Sequence, residues 1–120
     1  MTTPPLTPQF RAWLERERSW GAHALHAVAR QRRLLPAETH GLERFKLRMA
    51  LVELTGSVAR WANGLYDGLN KVGRGESAAL FAAAPPFAGA DPTTEDCDQL
   101  RQYVQARMRA LDELLAEDAG

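Results

Sequence analysis

Three histidines, one cysteine and a run of arginines are the side chains in this 120-residue chain whose types and spacing could do chemistry. His23 and His26 stand three apart, on one side of a helix if one forms there. With His40 they could offer imidazoles to zinc, copper or nickel. A tetrahedral site needs a fourth group or an open position, and nothing at motif spacing supplies one. Glu15, Glu17, Glu38 and Glu43 form no Glu-x-x-His pair of the di-iron bundle type. Solvated or hydrogen-bonded histidines are the plainer reading, and no metal or other cofactor is expected. Ser19, Ser57 and Ser77 lack a nucleophile-elbow context. Gly73-Arg74-Gly75 follows no strand, so it reads as a linker and not a phosphate loop. Cys97 falls near a helix start, which can lower a thiol pKa. Glu95, Asp96 and Asp98 oppose that, so Cys97 reads as a small core residue. A non-enzymatic protein is the expectation.

One pair resembles a catalytic motif. Arg18-Ser-Trp-Gly-Ala-His23 has the form arginine, four residues, histidine, and resembles the motif of HEPN-domain ribonucleases. Those are small all-α dimers whose Arg and His meet in the dimer cleft and act on RNA. The resemblance implies that Arg18 would stabilise phosphate and His23 would do acid–base work. Here the motif sits on the first helix, whereas the family carries it late in the domain.

Arg30, Arg32, Arg33, Arg44, Lys46 and Arg48 flank the first turn. An antiparallel hairpin would gather them at one end, where they could hold phosphates with a salt-dependent affinity. The aromatic residues lie elsewhere, so no base-stacking platform accompanies them. The stretch Leu35-Pro36, His40-Gly41, Arg44, Leu51 is faintly similar to the turn of the four-helix accessory variability determinant proteins of diversity-generating retroelements. Those form rings and bind nucleic acid; this chain lacks their long third helix. A nucleic-acid accessory role is therefore the alternative reading, and a solvated hairpin end is the plain one.

The elements that must position these residues are helical. A frayed, disordered N-terminal tail is expected over 1–6, and a single helical-bundle domain over 7–117. Thr7-Pro8 reads as an N-cap followed by proline at the first helical position. The first helix is expected over about 8–35 and ends at Pro36. A short turn, with Thr39 as a cap, then leads into a second helix over about 40–72. Gly64 and Gly68 weaken its last part, since each costs about 1 kcal/mol against alanine, but their spacing could let a neighbour come close. A short helix is expected over about 76–84. Asp91-Pro92 reads as the start of a third long helix over about 92–116. No stretch alternates like a strand. The fold class is all-α: an antiparallel bundle of three long helices and one short one.

Composition adds bounds. The chain is 45% hydrophobic and 25% charged, as ordinary globular proteins are. No apolar run nears the ~20 residues that span a bilayer, so no membrane partner is expected. The opening MTTPPLTPQF has neither a basic start nor an apolar core, so no secretory leader is expected. With a single cysteine, this favours a cytoplasmic location. Net charge is zero, yet residues 1–60 hold ten basic against five acidic residues and residues 61–120 the reverse. The acidic half should therefore pack near the basic half, in one chain or between two. Asp112, Glu113, Glu117 and Asp118 end a helix where the dipole disfavours acid, so they call for a basic surface.

The second helix carries two apolar seams. One runs Leu42, Phe45, Met49, Val52, Gly56, Ala59, Asn63, Tyr66; the other runs Leu47, Leu51, Leu54, Val58, Trp61, Leu65, Leu69. They are roughly 200° apart around the helix, so the helix must be covered twice. A flat layer with the second helix in the middle would do this in one chain. A compact bundle would leave one seam exposed and lead to self-association. The expectation is a helical interaction module (subunit, adaptor or small chaperone). It forms a homodimer or higher assembly through Leu47, Leu51, Leu54, Val58, Trp61 and Leu65, and binds another protein.

Overall fold

The structure is a computed structural model that describes residues 5–35, 41–86 and 92–117. All regular structure among these residues is helix: α1 Pro8–Leu34, α2 Gly41–Lys71, α3 Gly75–Ala79 and α4 Thr94–Glu117. The all-α bundle of three long helices and one short one is the observed architecture.

Helix ends follow local chemistry. Thr7 caps α1: its hydroxyl accepts the Phe10 N–H at 3.1 Å, with Pro8 at the first position. Leu6, assigned by sequence to a frayed tail, is half-buried against the core. Thr39 lies outside the described residues. α2 runs unbroken through Gly64 and Gly68 and stops at Gly73, which takes a left-handed φ of 79°. Arg74 N–H then reaches back to the Leu69 carbonyl at 2.8 Å, closing a Schellman-type end.

Two boundaries differ from the sequence reading. The short helix ends at Ala79 and not near 84. Phe81 is 2% exposed, and the turn that drives it into the core uses tight contacts of Phe81 N–H to Ala78 O and Ala82 N–H to Ala79 O. Pro85 and Pro86 then forbid helix. α4 starts at Thr94, two residues late; Asp91 lies outside the described residues. Thr93 is the cap: its hydroxyl accepts the Asp96 N–H at 3.2 Å and the Asp96 carboxylate accepts the Thr93 N–H at 2.8 Å, a reciprocal pair of the capping-box kind.

α1 runs antiparallel to both α2 and α4. At one end Arg44 donates to the Leu35 carbonyl at 3.3 Å and the Pro92 carbonyl at 2.9 Å, tying the end of α1 to the starts of α2 and α4. At the other end Trp13 of α1 lies on Gly68 of α2. α1 packs most closely on α4. α2 and α4 touch little directly, because the return segment 80–86 runs along their junction. Tyr103 O–H donates to the Ala83 carbonyl, and Pro86 shares a crevice with Leu51, Thr55 and Leu100.

This arrangement settles which seam of α2 is the core. Leu47, Leu51, Val58, Trp61, Leu65 and Leu69 are all buried inside one chain, and Leu54 is half-buried. They meet Leu14, Ala24 and Val28 of α1 and Leu100, Val104, Met108 and Leu111 of α4 in a single cluster. Trp61 N–H already donates to the Glu17 carbonyl at 2.9 Å, so its polar edge is satisfied within the chain. The expectation that Leu47, Leu51, Leu54, Val58, Trp61 and Leu65 face a second copy is therefore corrected. Each large side chain buried there contributes roughly 1.5–3 kcal/mol, and α1, α4 and the return segment already cover it.

Two ion pairs join the basic half to the acidic half within the chain, and a third lies inside the acidic half. Arg18 pairs with Asp112, Arg32 with Asp98 at 2.7 Å, and Arg74 with Glu117 at 3.1 Å. Of the acids at the end of α4, Asp112 thus finds its basic partner on α1 and Glu117 beside α3, Glu113 has no ion pair among the described residues, and Asp118 lies outside them.

Candidate interaction surface

With the second seam inside, the first seam forms the outer face of α2. Leu42, Phe45 and Met49 are 66%, 54% and 41% exposed, and Tyr66 is also exposed at the far end. Val52, Gly56 and Ala59 between them are half-buried, and Asn63 is exposed. Three large apolar side chains in line on one helix face form a patch of the kind that marks an interaction site. The face has two edges. One edge meets the return segment, where Ala59, Ala62, Asn63, Phe81 and Tyr103 line an open groove of about 310 Å³. The other edge carries Lys46, Glu53, Arg60 and Asp67, all exposed, and at Arg60 it borders a groove shared with Glu17 and Trp20 of α1. Gly56 sits at the middle of the face: a side-chain Cβ built there would approach only the Arg60 Nη1, at 3.6 Å.

The six basic residues stand on the last turns of α1 and the first turns of α2, whose ends Arg44 ties together through the Leu35 and Pro92 carbonyls. Half of them are engaged. Arg44 is half-buried and braces three elements, Arg32 is paired with Asp98, and Lys46 lies 3.4 Å from Glu43. Arg30, Arg33 and Arg48 are exposed and have no ion pair among the described residues. The hydrogen bond from Arg32 first, then the charges of Arg32 and of Arg101 at 3.8 Å, hold the Asp98 carboxyl below its usual range.

The other chemical candidates are placed as follows. Arg18 and His23 are both exposed on α1, and the Arg18 guanidinium grips Asp112 through two nitrogens. His23 and His26 are exposed, and His40 lies outside the described residues. No group of three metal-ligating side chains occurs among the described residues. Cys97 is fully buried; burial first, then Asp96 and Asp98, push its thiol pKa up. Among the described residues no helix is long and apolar enough to cross a membrane.

What the sequence reading missed is the return segment and, with it, the choice between the seams. A signal was present: the second seam is large and apolar at every step, whereas the first contains Gly56 and Asn63. Comparison with protein-family models, with curated protein sequences and with solved structures finds no match.

Proposed function

We propose that this chain is a non-enzymatic helical interaction module, a subunit, adaptor or small chaperone, that self-associates and meets another protein through the outer seam of α2. The observation that supports it is the line Leu42, Phe45, Met49, solvent-facing while the opposite side of the same helix is packed. Sedimentation of the wild type beside Phe45→Glu/Met49→Glu tests the reading. Both positions are exposed, so the fold should survive. Association in the wild type that the double variant abolishes supports the reading; a wild type that stays monomeric at tens of micromolar overturns it.

A second reading, a nucleic-acid accessory protein, draws on the exposed Arg30, Arg33 and Arg48 at one end of the α1–α2 hairpin. Anisotropy with labelled RNA and DNA across a salt series tests it. Salt-dependent binding lost in a triple alanine variant supports it; a flat response removes it.

A further inference from the structure

We propose that two copies join through the outer seam of α2 as an antiparallel, two-fold pair whose register is set by the charged edge of that seam. The inference rests on the self-association reading above and adds orientation and register.

The outer seam steps by 3 and 4 without a break from Leu42 to Tyr66. That is a mean period of 3.5, the spacing of a helix that coils against a second helix. Along its exposed charged edge stand Lys46, Glu53, Arg60 and Asp67, seven residues apart and alternating in sign. Little in the chain answers them. Lys46 has a long exposed contact with Glu43, and Arg60 donates to the Ser57 hydroxyl at 3.0 Å. Glu53 and Asp67 have no ion pair among the described residues. The opposite edge is Gly41, Arg48, Thr55 and Ala62, of which Thr55 and Ala62 are buried.

Orientation follows from which edges meet. In a parallel pair, each edge faces the opposite edge of the partner. Glu53 would then meet the partner's Arg48, while Lys46, Arg60 and Asp67 would face residues without charge. In an antiparallel pair about a two-fold axis, each edge faces its own reversed copy. One register sets Glu53 against the partner's Glu53 and Lys46 against the partner's Arg60, which repels. The register one heptad on sets Lys46 against the partner's Asp67 and Glu53 against the partner's Arg60. Symmetry repeats each contact, so all eight edge charges are matched. The repulsive register supplies the discrimination as much as the attractive one does.

The same register fixes which seam residues meet. Its two-fold axis passes between Gly56 and Ala59, so the central layers pair glycine with alanine and the backbones can approach closely. Within the chain a Cβ on Gly56 would meet only the tip of Arg60, at 3.6 Å. Met49 then meets the partner's Tyr66 on either side of the small centre, Val52 meets the partner's Asn63, Phe45 reaches the partner's Asn70, and Leu42 lies beyond the partner's helix end at Lys71.

Charge reversal read by sedimentation equilibrium tests this. Glu53→Arg and Arg60→Glu should each weaken the dimer by about tenfold or more, and the double reversal should return it to near the wild-type dissociation constant. A parallel pair predicts instead that Arg60→Glu is silent and that the double variant stays weak. Cysteine cross-linking adds an orientation readout: Gly56→Cys should oxidise to a covalent dimer. Met49→Cys should not, because its copies would be roughly 25 Å apart along the axis at 1.5 Å per residue. A dimeric wild type in which the double reversal gives no recovery, or Met49→Cys cross-links as readily as Gly56→Cys, overturns this inference and leaves the module reading standing. A monomeric wild type overturns both.

Discussion

The indole of Trp13 occupies the space that a side chain on Gly68 would need: a Cβ there would lie 2.6 Å from the Trp13 Cη2. α1 and α2 therefore close on each other at this end because one residue has no side chain. Gly64, four residues earlier, has nothing within 4 Å of the same position. The two glycines look alike in the sequence and do different work. Gly68→Ala should lower stability by about 1–3 kcal/mol through overpacking, despite its gain in helix propensity. Gly64→Ala should raise stability by about 0.5–1 kcal/mol. Urea unfolding of both variants checks the contrast, and equal shifts would contradict the packing at Gly68.

The two faces of α2 should respond oppositely to truncation. Leu65 is fully buried and Met49 is 41% exposed. Leu65→Ala should cost about 2–5 kcal/mol, whereas Met49→Ala should change chain stability by less than about 0.5 kcal/mol. Unfolding measured at concentrations too low for association separates fold from assembly.

Cys97 should be inert. It is fully buried and its thiol pKa is raised, so both access and thiolate are lacking. A thiol-specific chromogenic reagent should label it only at the rate of unfolding, and rapid labelling of the native chain would contradict its place in the core.

Acid should weaken the tie between α1 and α4. The folded Asp98 pKa is depressed below its unfolded value. Its contribution is therefore complete above the ordinary aspartate value of about 4 and is lost as pH falls through the lower folded value. Wild type should exceed Asp98→Asn in stability near neutral pH, and the gap should close in strong acid. The pair is exposed, so added salt should also narrow it.

Much of the fold was legible because it rests on local rules. Thr7-Pro8 opened a helix, Gly73 closed one, and the 3-and-4 spacing of α2 marked both seams. The opposed charge halves signalled packing that Arg18–Asp112 and Arg32–Asp98 carry out. The rest depended on tertiary competition. Asp91-Pro92 and Thr93 are both plausible starts, and the reciprocal bonds of Thr93 with Asp96 decide between them. The alanine-rich stretch after Gly75 has good helix propensity, but burying Phe81 bends it away after one turn. Which seam of α2 faces inward depended on what α1, α4 and the return segment could cover, and no local spacing encodes that. The surface residues of interest, Leu42, Phe45 and Met49, were visible as a seam, and Gly56 and Asn63 within it were the sequence sign that it faces outward.

Light scattering on the wild-type chain over a dilution series tests the central claim most directly, that the outer seam of α2 is a self-association face. The account predicts a mass of about twice 13.3 kDa at tens of micromolar, falling toward the single-chain value on dilution. It also predicts a single-chain mass at every concentration for Phe45→Glu/Met49→Glu. A wild-type mass that stays at 13.3 kDa throughout, or a dimer that the double variant leaves intact, would contradict it.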